Sequence, residues 1–448
     1  MLAPLFAQGA PEASSSEESG QNQAQPVLEI DLNQAYERAL TASEADLIQS
    51  QDLRIAQARY RQSMAGFFPS IGLFAQQTWQ DEYDRDETRE LVQDVLRQTD
   101  PNTARLLPQS SSPSDSSGLN PFQGGVSLSW PLFTGFRTYH ESRAYEADRR
   151  ASRLDRARFR ELLYLDVADV FYQALLYERT LEILETESRA LRQRIGELVT
   201  RVRLGRSRDG ELLSARSDLQ TNLVEQENTR GLLRTSRELL AFLINYPADR
   251  ITLLDHQELP DAGQLEAYLT ETEDRADVLA AISRLRASQE RLSEAHGEYL
   301  PEISLEGEYY LRQRPDYGRD WRVVLRIDLP LFEGGVTSAR SAEARAVSRR
   351  SELELERLKR SASYEVRSAY SDFTSAAART VLLEESVRLA RLNYGVQRRD
   401  YGLGIVTNLE VLSALARIQE AERSLLQARL QAKLAHIRLH LAAGRSPT

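Results

Sequence analysis

The sequence predicts a mostly α-helical protein with a small transmembrane β part, in which one structural repeat occurs twice. Three observations lead to this fold class. Residues recur at a constant spacing along the chain, short segments alternate apolar and polar residues, and long proline-free stretches carry apolar residues at intervals of three and four.

The repeat is clearest in the motifs PLFTG and PLFEG, whose prolines, Pro131 and Pro330, lie 199 positions apart. The same spacing separates further identical pairs: Phe133 and Phe332, Gly205 and Gly404, Ser214 and Ser413. Upstream the spacing is 232, as between Leu73 and Leu305. The first half therefore contains 33 additional residues between Leu73 and Pro131.

Each half is predicted to contain a helix, two strands, a sharp corner and a long helical hairpin. Residues 1–27 are expected to be the remnant of a secretory signal or a disordered N-terminus. The other expected limits are 28–245 for the first repeat, 81–120 for its polar extracellular loop, 246–274 for a linker, 275–444 for the second repeat and 445–448 for a tail.

Period-two alternation predicts the strands. Apolar residues alternate with arginine and aspartate in WRVVLRIDL (321–329), and ISLEGEYYL (303–311) has a similar pattern; the first half has weaker segments at 71–79 and 125–132. Such alternation over about ten residues is typical of a transmembrane strand between lipid and a wet lumen. A soluble sheet packed on a core would show the same pattern. In the transmembrane interpretation the lumen-facing residues are Glu306, Glu308, Arg322, Arg326 and Asp328.

The helices favour the transmembrane interpretation. From about Arg137 to Arg203 the chain contains no proline, and Leu184, Leu191, Ile195, Leu198 and Val202 follow coiled-coil-like spacing. At ~1.5 Å per residue this stretch would reach roughly 100 Å, far beyond an ordinary globular helix. We therefore expect an elongated molecule.

The number of strands predicts an oligomer. Four strands cannot close a barrel, and open sheet edges are not tolerated in lipid. Two chains would form a barrel filled by side chains, whereas three would form a twelve-stranded barrel with a lumen.

Composition excludes several classes of function. The net charge of −10, from 57 Lys and Arg against 67 Asp and Glu, disfavours a nucleic-acid partner. The chain has no cysteine, so disulfides, thiolate metal sites and cysteine nucleophiles are excluded. No apolar run approaches the ~20 residues of a membrane-spanning helix.

The sequence does not predict an enzyme, a cofactor or a metal site. Of five histidines, His436 and His440 alone have the spacing of helical metal ligands, and no glutamate completes a His-Glu-x-x-His motif. We favour a packing or solvated role for this pair. Phosphate-binding glycine loops and the Gly-x-Ser-x-Gly motif are also missing from the sequence.

The paired PLFxG motifs, the paired Leu-Gly turns that lead into Leu-Ser-Ala, and RADVLAAISRLRASQERLSEAHGEYLPEISLEGEY (275–309) together resemble the TolC-like outer-membrane efflux proteins. The resemblance covers nearly the whole chain. It implies a homotrimer in the outer membrane of a Gram-negative bacterium, whose twelve-stranded β-barrel continues as a periplasmic α-helical barrel. It also implies a strand-to-helix corner in each repeat, at Pro131, Gly135, Pro330, Gly334 and Gly335. In each corner the proline is expected to end a strand, where the loss of a backbone donor costs least.

The same resemblance implies that the Leu-Gly turns are periplasmic tips where an adaptor protein docks. The docking residues would be Leu204, Gly205, Leu213, Leu403, Gly404 and Leu412. Acidic residues that line the closed tip in the family correspond to Glu211 and Glu410, although carboxylates at helix N-termini also interact favourably with the helix dipole. Ser214 and Ser413 replace further acidic residues, and Ser207 and Val406 replace a basic partner, so the family's ionic lock is not expected.

The function that follows is a passive exit duct for efflux or type I secretion. Its expected partners are further copies of the chain, a periplasmic adaptor, an inner-membrane pump of the RND, ABC or MFS type, and outer-membrane lipid. The alternative is a soluble periplasmic coiled-coil scaffold or tether without channel activity, which would leave the alternating strands unexplained.

Overall fold

The structure is a computed structural model that describes residues 28–79, 122–256, 258–259, 261, 263–314 and 320–445. The expected signal remnant or disordered segment at 1–27 and the expected loop at 81–120 lie outside the described residues.

The described chain is mostly helical, as the sequence predicts. In order, its main elements are β1 (Leu28–Ile30), α1 (Leu32–Ala42), α2 (Glu44–Ala65), β2 (Ser70–Gln77), β3 (Phe122–Thr134), α3 (Arg137–Arg203), α4 (Asp209–Ile244), β4 (Ile251–Leu253), α5 (Leu265–Glu271), α6 (Ala276–Gly297), β5 (Glu302–Arg314), β6 (Trp321–Asp328), α7 (Val336–Leu403) and α8 (Asn408–Ala443). The long helices α3 and α7 have 67 and 68 residues. The long helix expected from Arg137 to Arg203 is confirmed. No described helix is both long enough and apolar enough to cross a membrane.

The residues pack into two compact units. Of the described residues, the first unit contains those up to Ala42 and those within Asp166–Leu259 and Val381–Leu430. The second contains those within Ser43–Leu165 and Pro260–Thr380 and those from Gln431 onward. This division follows packing, whereas the domain limits expected from the sequence follow the repeat and stay a prediction.

In the first unit two short strands form a parallel sheet beside α1. β1 pairs with β4, with Ile30 opposite Leu253, and α1 packs against α4. Asp31 and Gln34 form a reciprocal cap at the start of α1: the Gln34 N–H donates to Asp31 Oδ1 at 2.8 Å, and the Asp31 N–H donates to Gln34 Oε1 at 3.2 Å. The cap fixes where α1 begins, directly after β1.

In the second unit the four remaining strands form one antiparallel sheet in the order β2-β3-β5-β6. Its register places Glu308 opposite Arg322 on one face, and Leu305 opposite Leu325 on the other. All four strand segments expected from the sequence are therefore strands. The alternation within β5 and β6 becomes one charged and one apolar face of the common sheet, which β2 and β3 extend without a charged residue.

Buried ion pairs hold the helices of the second unit. Asp46 accepts from both Arg156 and Arg160, whose guanidinium groups hold the pKa of its carboxyl well below the usual range. Arg275 is 2% exposed and donates to Asp277, to Glu365 and to the carbonyl of Ala442. Both sites fully engage their charges, which is what makes such burial tolerable.

Candidate functional site

The charged face of the sheet contains all five expected lumen residues. Arg322 Nη2 lies 2.8 Å from Glu308 Oε2, and Arg326 Nη2 lies 3.1 Å from Glu306 Oε2. Asp328 lies opposite Glu302. The two Arg–Glu pairs are largely exposed and contribute at most about 1 kcal/mol each. Their main effect is to place positive and negative charges side by side on one solvent-exposed face of the sheet.

The opposite face is apolar and exposed in the described chain. Its large exposed members are Ile71, Leu73, Trp130, Trp321, Val323, Leu325 and Ile327. A soluble sheet would bury such a face under a second layer. Contiguous apolar surface of this kind marks contact with lipid or with another protein.

The first corner is tightly packed. β3 continues three residues beyond Pro131 to Thr134, so the expectation that this proline ends its strand is wrong. Pro131 instead adjoins a register irregularity, where a missing N–H donor costs little. Gly135 has φ +64°, and a Cβ there would lie 2.3 Å from the carbonyl oxygen of Gly297. The turn into α3 therefore requires glycine both for its conformation and for space.

The second corner repeats the conformation without the packing. β6 ends at Asp328, before Pro330. Gly334 and Gly335 have φ +63° and +90°, yet a Cβ on Gly334 would meet no atom within 4 Å. Two apolar side chains beside it, Leu331 and Phe332, are 89% and 88% exposed. The two corners are thus similar in sequence and different in environment.

The first tip closes α3 with a Schellman motif. The Gly205 N–H donates to the Val202 carbonyl at 2.9 Å, and the Arg206 N–H donates to the Arg201 carbonyl at 2.8 Å. Gly205 has φ +68°, the left-handed conformation that this motif requires.

The second tip closes α7 with the same two bonds. The Gly404 N–H donates to the Tyr401 carbonyl at 3.1 Å, and the Ile405 N–H donates to the Asp400 carbonyl at 3.0 Å. Each residue in this pattern lies 199 positions after its counterpart in the first tip. The repeat therefore extends to individual backbone hydrogen bonds.

The leucines expected to dock an adaptor differ in accessibility. Leu204, Leu213 and Leu403 are all more than 60% exposed. Leu412 is 7% exposed and packs with Leu191, Leu198, Ala215 and Leu415 in the core of the first unit. In this conformation three of the four leucines face solvent and the fourth supports the fold.

Both acidic residues expected at the constriction form local bonds at a helix start. Glu211 Oε2 accepts from Ser207 Oγ at 2.5 Å. Glu410 Oε2 accepts from the Thr407 N–H at 2.6 Å and from Thr407 Oγ1 at 2.9 Å. Glu410 therefore caps the start of α8, whereas Glu211 accepts only from a side-chain hydroxyl beside the start of α4. Any role of either carboxylate in conduction would be additional to these bonds.

Sequence reasoning missed a cation–aromatic cluster beside the second tip. The guanidinium carbons of Arg194 and Arg201 lie 3.8 and 4.4 Å from the ring centre of Tyr401. Arg194 Nε also donates to Asn408 Oδ1 at 2.7 Å. The seven-residue spacing of the arginines, two helical turns on one face, was the available signal.

Between α3, α4 and the first part of α8, the first unit contains a groove of about 530 Å³. Its lining includes Leu184, Leu191, Asp218 and Leu412. Glu187 lies in its wall, accepts from Asn222 Nδ2 at 2.8 Å, and has Arg423 Nη1 4.0 Å away. Burial raises the pKa of the Glu187 carboxyl, and Arg423 and Asn222 lower it by less, so the net shift is upward.

The histidine pair lies within an aromatic cluster, with the two rings tilted by 50° to each other. The rings of His436 and His440 lie 4.2 Å apart, and Phe373 and Tyr268 contact them. Within the described ranges, no group of three or more His, Asp and Glu side chains is placed to hold a metal ion.

Comparison with known protein families identifies a family whose model matches most of this chain. A family model described as outer membrane efflux protein matches residues 35–246 and 270–445, which include both tips, both corners and all of the four-stranded sheet.

Individual relatives are distant. TolC from Vibrio cholerae is 22% identical over 295 residues, covering 63% of this chain and 67% of that protein. The alkaline protease secretion protein AprF from Pseudomonas aeruginosa is 23% identical over 343 residues, covering 71% and 69%. Matches to the TolC proteins span 61–67% of those relatives' lengths. A solved structure of CusC superimposes with a TM-score of 0.78 over 99% of both chains at 19% identity, which establishes the fold.

Proposed function

Because the chain belongs to the outer membrane efflux protein family, we propose that it is the passive exit duct of a tripartite efflux or type I secretion system. The protein is located in the outer membrane of a Gram-negative bacterium and extends into the periplasm. In the proposed role it conducts substrates delivered by an inner-membrane pump and supplies no catalytic step.

The two-faced sheet carries this proposal. A charged face with cross-strand ion pairs suits a water-filled lumen, and an exposed apolar face suits lipid. Neither face needs a covering layer of protein if the sheet is part of a membrane barrel.

Closure of that barrel requires further copies. Unpaired backbone groups cost several kcal/mol each in hydrocarbon, so the sheet edges must be paired. Three copies with four strands each give a twelve-stranded barrel, wide enough for a lumen. We infer a homotrimer whose helices continue as a periplasmic α-helical barrel.

The tips are the proposed docking sites for a periplasmic adaptor. Leu204 and Leu403 are exposed beside Gly205 and Gly404, whose lack of side chains allows close approach of another backbone. The adaptor would join the duct to a pump of the RND, ABC or MFS type.

The proposed constriction consists of Glu211 and Glu410. Three copies would bring six carboxylates near one axis, which would attract cations and oppose closure. The hydrogen bonds from Ser207 and Thr407 orient these carboxylates in each copy.

A soluble scaffold or tether is the alternative. It would account for the long helices but would leave an exposed apolar sheet face in water. Membrane fractionation separates the two functions: the duct should require detergent for extraction, whereas a scaffold should be released by salt or carbonate.

The direct test is planar-bilayer recording with the purified, detergent-solubilised protein. We expect stepwise conductance from particles whose mass corresponds to three chains. A trimeric preparation that inserts into lipid and never conducts would contradict the proposed duct.

A further inference from the structure

The groove of the first unit has an apolar floor. It lies between α3, α4 and α8 and has a volume of about 530 Å³, within the range of small-molecule sites. Leu184 and Leu191 of α3 and Leu412 of α8 line it and are at most 7% exposed. Every residue that lines the groove belongs to the same unit, so one copy of the chain forms it.

The walls of the groove are acidic. Three carboxylates line them, those of Glu187, Asp218 and Glu225. Among the described lining residues Arg423 is the single basic one, and its Nη2 also donates to Glu420 at 3.1 Å, so its charge is shared. Burial raises the pKa of the Glu187 and Asp218 carboxyl groups, because the nearby positive charge does not compensate for lost water. The groove is therefore complementary to a cation.

A buried chain of hydrogen bonds holds Glu187 in place. Gln226 Nε2 donates to the Leu184 carbonyl at 3.2 Å and to Asn222 Oδ1 at 2.7 Å. Asn222 is buried, and its Nδ2 donates to Glu187 Oε2 at 2.8 Å. Within the described chain the other oxygen of this carboxylate, Oε1, accepts no hydrogen bond. The carboxylate is thus fixed by its neighbours and keeps one oxygen for a donor from outside.

A further acceptor on α8 lacks a donor. Gln419 lies three positions after Ala416 and four before Arg423, so it shares the helix face that lines the groove. Its side chain is 5% exposed, and its Oε1 has no hydrogen-bond partner among the described residues. A cationic donor in the groove is the kind of partner that this oxygen lacks.

We propose that the groove binds an amphipathic organic cation, whose ammonium group pairs with Glu187 and whose apolar part lies on Leu184, Leu191 and Leu412. The ammonium group donates to Glu187 Oε1 and offsets the negative charge of the walls. The apolar part displaces water from the leucines. A neutral molecule of the same shape would leave the carboxylates uncompensated, and an anion would be repelled.

The position of the groove along α4 relates it to the proposed constriction. Glu211, Asp218 and Glu225 are spaced by seven residues, so they share one face of α4. At ~1.5 Å per residue, Asp218 and Glu225 lie roughly 10 and 20 Å along the helix from Glu211. An organic cation in the proposed duct would meet this groove beside the constriction. That consequence rests on the proposed duct, whereas the binding itself does not.

Ligand binding to the purified, detergent-solubilised protein tests the inference. Three probes share one apolar body: phenethylammonium is cationic, phenethyl alcohol is neutral and hydrocinnamate is anionic. Isothermal titration calorimetry, with detergent micelles alone as the blank, measures their affinities. We expect phenethylammonium to bind at least about tenfold more tightly than the alcohol, because it alone forms a charge-assisted hydrogen bond. Hydrocinnamate should bind most weakly of the three.

Substitutions in the groove should change the affinity in opposite directions. Glu187→Gln retains an oxygen for Asn222 and removes the charge, so phenethylammonium should bind about tenfold more weakly or worse. Arg423→Gln removes the opposing charge and should strengthen the binding of the same probe. Glu182→Gln is the matched control, because this exposed carboxylate of α3 pairs with Arg179 outside the groove. Melting curves verify that each variant is folded.

Equal affinities of the parent for phenethylammonium and phenethyl alcohol would overturn the inference, and this comparison needs no variant. Unchanged phenethylammonium binding by Glu187→Gln would overturn it as well. Absence of binding to the folded parent would also overturn it and leave the groove to another occupant, such as a helix of a partner protein. Glu187-dependent binding by a preparation that never conducts in a bilayer would support the site and contradict the duct, so the two proposals can fail separately.

Discussion

Arg194 donates a hydrogen bond from its Nε to Oδ1 of Asn408, 2.7 Å away, at the first residue of α8. Asn408 is 1% exposed, and the same guanidinium lies over the ring of Tyr401 and donates to Glu197. One side chain of α3 thus contacts the last turn of α7 and the first turn of α8. These contacts hold the second tip in the described conformation.

Removal of this bond should loosen the second tip. We expect Asn408→Ala to lower the free energy of local opening by about 1–3 kcal/mol, because the Arg194 guanidinium then loses a buried acceptor. Faster hydrogen exchange of amides at 400–412 would report the loss. In the proposed duct, more frequent open events in bilayer recordings should accompany it.

Arg192→Ala is the control, since Arg192 lies on the exposed side of the same helix. A double-mutant cycle of Arg194→Ala with Asn408→Ala should give a coupling energy of about 1 kcal/mol or more. Additive effects would show that the two side chains act independently, contrary to the prediction.

Capping and conduction by Glu410 can be separated with two substitutions. Glu410→Gln removes the charge and retains an oxygen that can accept from the Thr407 N–H. Thr407→Val removes the hydroxyl donor and retains the charge. If the carboxylate attracts cations in a narrow pore, Glu410→Gln should lower cation selectivity and leave thermal stability nearly unchanged.

Thr407→Val should have the opposite effect. It should lower the stability of the tip by about 0.5–1.5 kcal/mol and leave selectivity as it was. Reversal potentials in a salt gradient and thermal melting give the two readings. Unchanged selectivity in Glu410→Gln would leave this residue with its capping role alone.

Strands and long helices could be predicted from the sequence because both are local patterns. WRVVLRIDL predicts a strand at 321–329, and β6 spans Trp321–Asp328. The alternation also predicts which side chains share a face, and Glu308 and Arg322 do meet there. The positive φ of Gly205 and Gly404 follows from helix termination at a Leu-Gly sequence.

Contacts between distant segments could not be predicted in the same way. Arg194 and Asn408 are 214 positions apart, and the sequence contains many other arginines. Equivalent positions also diverged: Leu213 is exposed while Leu412 is buried, because the two halves pack against different neighbours. Arg275 is charged yet buried, which composition alone would place at the surface.

The glycine at the first corner should not tolerate a side chain. Gly135→Ala combines a left-handed φ with a Cβ 2.3 Å from the Gly297 carbonyl oxygen. We expect destabilisation on the order of 3 kcal/mol or more, seen as a lower melting temperature and less folded protein. Gly196→Ala is the control, because that helical glycine has open space and alanine should stabilise it by up to about 1 kcal/mol.

The adjacent histidines His436 and His440 should make stability depend on pH. Burial, followed by the neighbouring His436 and Arg445, lowers the pKa of His440 to about 4, while Glu271 acts in the opposite direction. The Arg445 guanidinium also stacks on Tyr268 and donates to Glu271, so the cluster already contains a positive charge.

Between about pH 6.5 and about pH 4 the unfolded chain binds a proton at His440 and the folded chain does not. The contribution of the neutral His440 ring to the free energy of unfolding is therefore complete above the unfolded pKa and is lost as pH falls towards the folded pKa. Because the ring is only half buried, we expect His440→Gln to reduce the loss of stability between about pH 7 and about pH 5 by about 1 kcal/mol. Thermal melting of both proteins at the two pH values measures this difference. His296→Gln, which removes an exposed histidine, should leave the pH dependence of the parent in place. Equal pH slopes for the parent and His440→Gln would show that this histidine pair does not govern acid stability.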